Sequence, residues 1–309
     1  MQTLPAISVV VPHLNQQAML ERCLASLGAQ NYPRSQFEVI VVDNGSEELP
    51  EAIVSGMPGA RLAVERQAGP GPARNRGVSL AKGEVLAFID ADCVAAPGWL
   101  SAISERFASA GPQVILGGDV RVGRANPPHY TALEAYENIY AYRQKTYIQT
   151  KGFSGTGNLA VRRHDFDVIG PFAGIDQAED RAWGRQARLH GFVFEYLPGM
   201  IVYHPARTSL SELFAKWDRH VVHDYTDWRS GGRGYGTWLL RAAAIAASIP
   251  AELVRILASR RIDGLRSRVL AFWVLLRVRL YRAVRMIRTP LAMKERQSWP
   301  SWNRPTQSL

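Results

Sequence analysis

Two acidic side chains stand directly after an apolar run and are spaced two residues apart. The run 85–89 is typical of a buried β-strand, and Asp90 and Asp92 follow it. Carboxylates at the edge of an apolar core are costly unless a cation or a hydrogen-bond donor pairs with them. Magnesium and manganese favour carboxylate oxygens and often share their coordination with substrate phosphates. The pair therefore indicates a divalent-cation site, with two solvated acids in a turn as the alternative.

The elements around these acids predict where other polar side chains meet them. Strand-like runs at 7–11, 37–42 and 85–89 alternate with helix-like segments, which indicates a parallel sheet with right-handed crossovers. In such sheets, ligands bind beyond the carboxyl ends of the strands. Asn15 and Asp43 fall just beyond two strand ends, so we expect them at the same edge as the acid pair. For Asp43, a structural role as the cap of the turn Asp-Asn-Gly-Ser is an equal alternative to contact with a ligand.

The second half of the chain is less regular in pattern. Its predicted elements are helices at 99–107 and 129–148, strands at 114–116 and 158–161, a helix from Asp176 or Gln177 to His190, and short strands at 192–196 and 200–203.

Charge divides the chain into two parts that we predict to be domains, 1–228 and 229–309. The whole chain has 309 residues and a net charge of +10, but residues 229–309 hold 16 Lys and Arg against three Asp and Glu. Such an excess indicates an anionic partner, either a membrane or a nucleic acid. Two isolated cysteines are typical of a reducing compartment, and the N-terminus shows no signal-peptide pattern.

The C-terminal part predicts a basic amphipathic helix rather than a membrane span. Arginines interrupt both of its apolar segments, 238–257 and 269–287. At 100° per residue, one side of the second segment collects Phe272, Trp273, Leu276, Leu280, Ala283, Val284 and Ile287, and the other collects Arg277, Arg279, Arg282, Arg285 and Arg288. This pattern favours an anionic membrane surface as the partner of residues 238–288, and the apolar side disfavours nucleic acid. The alternative is a helix packed on the preceding domain with a solvated arginine face.

A series of motifs from Ile7 to about Pro205 resembles the family 2 glycosyltransferases. The matching segments are Ser8–Pro12 with Asn15, Val41–Ser46, Gly69–Gly77, Phe88–Asp92, Gly157–Arg162, Glu179–Asp180 and Val202–His204. The resemblance implies the GT-A fold, an α/β architecture with a mainly parallel sheet flanked by helices, here with a C-terminal amphipathic helical extension.

The resemblance also implies an activity: an inverting, metal-dependent hexosyltransferase that moves a sugar from a nucleotide-sugar donor to a hydroxyl group. Asp92 is expected to hold Mn²⁺ or Mg²⁺, with Asp90 and His204 as further candidate ligands. Asp90 more often faces the nucleoside or ribose in this family. For His204, a purely structural histidine after a strand is the alternative.

The remaining site residues follow from the same resemblance. Asp180 is expected to be the general base, although a carboxylate in the first turn of a helix is also favoured by the helix dipole. The predicted nucleotide-sugar site consists of Pro12, Asn15, Asp43, Arg74, Asp90, Ala91 and Asp92, and the predicted acceptor and donor-sugar side of Gly157, Asn158 and Glu179. Arg74 is expected to pair with a phosphate or with Asp92, or else to be a surface arginine.

The expected partners are a UDP-, GDP- or dTDP-linked donor and a glycan or lipid-linked acceptor, with no nucleic acid. The expected location is cytoplasmic, peripheral on the inner face of the cell membrane, in the synthesis of cell-envelope polysaccharide. Alternatives are a non-catalytic carbohydrate-binding or scaffold protein of the same fold and a sugar-phosphate nucleotidyltransferase. The second would need an N-terminal glycine-rich phosphate loop, which residues 12–15 do not form.

Overall fold

An eight-stranded sheet positions the acid pair. The computed structural model describes residues 4–124, 128–175 and 178–292. The strands are β1 (Ile7–His13), β2 (Phe37–Asp43), β3 (Ala60–Val64), β4 (Val85–Ile89), β5 (Val94–Ala95), β6 (Val114–Val122), β7 (Asn158–Arg162) and β8 (Val193–His204), and their order is β3-β2-β1-β4-β7-β6-β8-β5.

Strand periodicity predicted the parallel strands β1, β2 and β4. β1 pairs in parallel with β2 and with β4, and β2 pairs in parallel with β3. Their central residues, such as Val9, Val39 and Phe88, are fully buried, which explains the unbroken apolar runs. β7 joins β4 in the antiparallel direction, so the sheet is mixed.

Helices connect and cover these strands. The first unit, residues 4–121 and 143–204, contains α1 (Gln17–Gly28), α2 (Glu51–Ser55), α3 (Pro70–Leu80), α4 (Trp99–Ser109), α6 (Gln144–Thr146), a π-helical turn (Tyr147–Lys151), α7 (Arg163–Ile169) and α8 (Glu179–Leu189). The second unit, residues 122–124, 128–142 and 205–292, contains α5 (Ala132–Tyr140), α9 (Leu210–Ser230), α10 (Tyr235–Ala247), α11 (Ile249–Ala258) and α12 (Gly264–Ala292).

Two predictions between residues 129 and 203 differ from the structure, and one helix start is not tested. The helix predicted at 129–148 is interrupted after α5, where Tyr142 adopts a left-handed φ of 48°. The two strands predicted at 192–196 and 200–203 form one continuous strand, β8. Asp176 and Gln177, the predicted start of a helix, lie outside the described residues, and α8 begins at Glu179.

The boundary predicted from charge, between residues 228 and 229, falls in the last turn of α9, inside the second unit. Helix α9 has no counterpart in the sequence prediction; the Ser209 hydroxyl accepts the backbone N–H of Glu212 and caps its start. The helix predicted at 238–257 divides into α10 and α11, with Pro250 in the first turn of α11. Residues 293–309 of the predicted tail are outside the described part.

The predicted arginine side of the last helix needs correction, whereas four residues of its predicted apolar side, Trp273, Leu280, Val284 and Ile287, are exposed. The residues of α12 that pack in the core of the second unit are Ala271, Val274, Leu275 and Val278. Three arginines of the predicted basic side also face this unit: Arg279 pairs with Glu252, Arg285 pairs with Asp218, and Arg282 lies 3.8 Å above the Trp217 ring. These three arginines do not form a solvated or lipid-facing row. Helix α12 has two apolar sides, and it packs through the side formed by Ala271, Val274, Leu275 and Val278. None of the helices in the described part of the chain combines the length and hydropathy of a membrane span.

Candidate active site

Asp92 and His204 come together at one edge of the sheet. β5 pairs antiparallel with the end of β8, with Val94 opposite Tyr203. This register places His204 Nε2 3.1 Å from Asp92 Oδ2. The Cys93 thiol donates to the other oxygen of Asp92, at 3.6 Å. The sheet therefore builds a carboxylate–imidazole pair from segments more than a hundred residues apart.

This pair fits a divalent cation. One ligand atom each of Asp92, Cys93 and His204 lies within 4.8 Å of the other two. Burial tends to raise the pKa of Asp92, but the hydrogen bond and the charge of His204 outweigh burial and hold that pKa below its ordinary value. An ionised carboxylate with an imidazole suits a metal such as Mn²⁺. The buried Cys93 stays a thiol, because burial and the nearby acids raise its pKa, so oxygen and nitrogen supply the donor set.

Asp90 is held by a buried arginine. Arg74 Nη2 donates to Asp90 Oδ1 at 2.6 Å, and Arg74 Nη1 donates to Glu179 Oε1 at 3.2 Å. Only 3% of the Arg74 side chain is exposed, so the surface alternative is wrong, and its partner is Asp90 and not Asp92. One guanidinium thus ties the end of β4 to the start of α8. Gly157 leaves room for this arrangement, since a Cβ there would lie 2.3 Å from Asp90 Oδ2.

Asp180 follows Glu179 in the first turn of α8. Its Oδ1 accepts the backbone N–H of Arg181 at 2.7 Å. Burial raises the pKa of Asp180 above the ordinary value, and the adjacent charge of Glu179 raises it further. A carboxylate with a raised pKa binds a proton more strongly, which is the property that a general base needs.

The Asp43 carboxylate is fully buried and closes a turn. Its Oδ2 accepts from His13 Nδ1 at 3.0 Å, and its Oδ1 accepts the backbone N–H groups of Gly45 and Ser46. This is the turn-capping alternative that the sequence left open; contact of Asp43 with a nucleobase stays a prediction. Sequence reasoning missed His13, because its pairing depends on the β1–β2 register, in which His13 lies opposite Asp43.

Asn15 is the other strand-end residue predicted to meet the nucleotide. It has a φ of 50°, unusual for a residue other than glycine. Its backbone N–H donates to Ser46 Oγ, and its Oδ1 accepts the N–H of Glu47. Asn15 therefore fastens the loop after β1 to the turn after β2. Pro12 is half-buried and Ala91 is buried.

Asn158 joins elements of the fold. The side chain is fully buried and donates to the carbonyl groups of Asp119 and Met200. Its oxygen accepts the Trp99 indole N–H at 2.8 Å. The amide of Asn158 therefore connects β6, β8 and α4, and the place of this residue on the acceptor and donor-sugar side stays a prediction.

Comparison with known proteins settles the family. A model of the family described as glycosyl transferase family 2 matches residues 8–178. The chain belongs to glycosyltransferase family 2. Glycosyltransferase AglE of Haloferax volcanii is 32% identical over 220 residues, which cover 69% of this chain and 71% of that protein. Succinoglycan biosynthesis protein ExoO of Rhizobium meliloti is 34% identical over 115 residues, 36% of this chain and 32% of its own length.

Solved structures of glycosyltransferases share the fold. The mannosyltransferase PcManGT from Pyrobaculum calidifontis, in complex with GDP-Man and Mn²⁺, superposes with a TM-score of 0.60 at 18% identity over 94% of this chain and 88% of that one. Residues 1–349 of S. aureus TarS in complex with UDP-GlcNAc give a TM-score of 0.53 at 17% identity, over 94% and 92%. These likenesses confirm the GT-A fold with a helical C-terminal region.

The family 2 chain is accordingly a glycosyltransferase. This conclusion favours the predicted enzyme over the scaffold protein and the nucleotidyltransferase.

Proposed function

We propose that this glycosyltransferase moves a sugar, with inversion at the anomeric carbon and with help from a divalent metal, from a nucleotide sugar to a hydroxyl of a lipid-linked or membrane-proximal glycan. The observation that supports this most is the Arg74 bridge. Its guanidinium joins Asp90, two residues before Asp92, to Glu179, the residue before Asp180. In a single displacement, the cation and the base act on the same bond-forming and bond-breaking step. The cation site and the base would therefore have to be held in a fixed mutual position, which the Arg74 bridge would provide.

Asp92 and His204 would hold Mn²⁺ or Mg²⁺. Their 3.1 Å contact and the ionised state of Asp92 support this assignment. A bound divalent ion supplies positive charge for the diphosphate leaving group. PcManGT was solved with GDP-Man and Mn²⁺, and GalNAc-T7 with UDP, GalNAc and Mn²⁺. Asp90 pairs with Arg74, which also pairs with Glu179 at the start of α8. Asp90 is therefore a less suitable metal ligand than Asp92.

Asp180 would accept the proton of the acceptor hydroxyl. The hydroxyl oxygen then bonds to the anomeric carbon while the bond from that carbon to the diphosphate oxygen breaks. The electron pair leaves with the nucleoside diphosphate, and the proton remains on Asp180. The raised pKa of Asp180 supports this role, since it brings the carboxylate closer to the basicity of the group it deprotonates. The donor would be UDP-, GDP- or dTDP-linked.

The basic C-terminal segment is the basis for the proposed acceptor and location. The charge of residues 229–309, 16 Lys and Arg against three Asp and Glu, supports an anionic membrane as partner. We propose that residues 238–288 meet the inner face of the cell membrane, where a lipid-linked glycan of the cell envelope would be extended.

A donor screen with purified protein tests this function. UDP-, GDP- and dTDP-sugars are added with Mn²⁺ or with EDTA, and melting temperature and donor hydrolysis are measured. We expect one donor class to stabilise the protein only with Mn²⁺, and Asp92→Ala to abolish that shift. The control is Asp167→Ala, which removes an exposed acid on α7. An unchanged Mn²⁺ response in Asp92→Ala, or no response to any donor in the wild type, would contradict the proposal.

A further inference from the structure

The last helix leaves a long apolar stripe uncovered. Seven residues of α12 form it: Leu265, Val269, Trp273, Leu276, Leu280, Val284 and Ile287. Six of them are between 44% and 72% exposed, and Leu276 is half-buried. At 100° per residue they fall within about 100° of the helix circumference, and at 1.5 Å per residue they extend over about 33 Å. We call these seven residues the α12 stripe.

The α12 stripe lies opposite the residues that pack. Ala271, Val274, Leu275 and Val278 are fully buried on the inner side of the helix. A helix of a water-exposed domain has one apolar face, and a helix with two needs a second apolar partner. Contiguous exposed apolar surface of this length is typical of a site that meets a membrane or another protein.

A row of arginines borders the α12 stripe on one edge. Arg266, Arg277 and Arg288 are spaced eleven residues apart, so three turns bring them into line. All three are exposed, and among the residues that the structure describes none of them has an ion pair. The Arg277 guanidinium lies 4.0 Å above the Trp273 ring. These arginines differ from Arg279 and Arg285, whose charges are already paired within the second unit.

We propose that the α12 stripe and its arginine row dock on an anionic lipid bilayer, with α12 lying in the plane of the interface. The inference deepens the proposed membrane partner, on which it rests, by naming the face that meets the lipid. Acyl chains take up the apolar side chains, and anionic headgroups pair with the arginine row beside them.

Charge favours lipid over a second copy of the chain. Helix α12 contains no Asp or Glu. Two copies of the helix that paired through the stripe would leave both arginine rows without a carboxylate from either helix to neutralise them. A bilayer containing anionic lipid supplies the missing negative charge along the whole row.

Vesicle sedimentation with the full chain tests the proposal. The probes are vesicles of phosphatidylcholine with and without phosphatidylglycerol, at low and high salt. The wild type should bind the anionic vesicles, more weakly at high salt. Leu280→Gln with Val284→Gln should weaken binding at least tenfold. Replacing the three arginines of the row by Gln should weaken it roughly a hundredfold, at about fivefold per arginine, and remove the preference for anionic lipid.

The matched controls replace exposed residues of the first unit. Val168→Gln removes an exposed apolar side chain from α7, and Arg22→Gln removes an exposed arginine from α1; neither should change vesicle binding. Wild-type binding by the Leu280→Gln, Val284→Gln variant would overturn the proposal. So would a wild-type dimer that this variant dissociates, without vesicle binding.

The failure of docking and the failure of the proposed function can be told apart. Melting with donor and Mn²⁺ is measured on the same variants without vesicles. Loss of vesicle binding with a retained donor response supports docking through the stripe. Vesicle binding by a protein that responds to no donor leaves the docking inference standing and contradicts the proposed transfer reaction.

Discussion

The bridge between the metal motif and the base helix can be broken at one residue. Arg74→Met keeps the length of the side chain and its apolar stem but removes the guanidinium that contacts Asp90 at 2.6 Å and Glu179 at 3.2 Å. The two carboxylates then repel each other and have no cation between them. We expect lower stability and a start of α8 that is no longer fixed beside β4.

The exposure of the two carboxylates sets the size of this effect. Breaking a fully buried ion pair costs about 3–5 kcal/mol, whereas an exposed pair contributes about 0–1 kcal/mol. The Asp90 and Glu179 side chains are 37% and 24% exposed, which lies between these limits. We therefore expect Arg74→Met to lower the free energy of unfolding by about 2 kcal/mol, or the melting temperature by about 4–8 °C.

A double-mutant cycle in urea measures the bridge. Asp90→Asn removes one unpaired charge, so Arg74→Met with Asp90→Asn should be at least about 0.5 kcal/mol more stable than the sum of the single effects predicts. Arg76→Met is the control, because Arg76 is exposed on the same helix, and it should change stability by less than about 0.5 kcal/mol. A cycle that is additive, with Arg74→Met as stable as the control, would refute the reasoning.

Three further outcomes follow from the site and from the second unit. The acidic fall of kcat/KM should occur at a pH above the ordinary carboxyl range, because the base must be ionised and the pKa of Asp180 is raised; a fall near pH 4 would contradict this. Gly157→Ala should weaken Mn²⁺-dependent donor binding at least tenfold, because its Cβ would overlap Asp90 Oδ2; Gly111→Ala, which meets nothing within 4 Å, is the control, and equal titrations would speak against the overlap. Burial lowers the pKa of Lys216 to about 8, so Lys216→Met should raise the free energy of unfolding by about 1–3 kcal/mol at pH 7. That gain should shrink between pH 8 and the unfolded value near 10.5, because only the unfolded wild type stays protonated there; urea unfolding across this range tests it, and a constant gain would count against the burial argument.

The parallel strands β1, β2 and β4 could be predicted because most of their residues are buried. Continuous apolar runs such as 39–42 and 85–89 are typical of strands buried on both faces, and the polar residues that follow them mark the ligand edge. The order of motifs also predicted Asp92, Asp180 and His204 as members of one site, and the structure places the first and last of these in contact.

Contacts that depend on register or tertiary distance could not be predicted. His13 faces Asp43 because of the β1–β2 register, and Arg74 reaches Glu179 across 105 residues. The predicted arginine side of α12 was partly wrong for a related reason. A helical wheel shows that two sides are apolar, but only the packing of α5, α9, α10 and α11 on α12 decides which side is buried.

The anomeric configuration of the first product tests the central claim most directly. An α-linked nucleotide sugar is hydrolysed with water as acceptor, and ¹H NMR is recorded before the released sugar equilibrates. Single displacement assisted by Asp180 predicts that the β-anomer appears first and that Asp180→Asn suppresses its release while donor binding persists. Initial release of the α-anomer, or undiminished release by Asp180→Asn, would contradict the account.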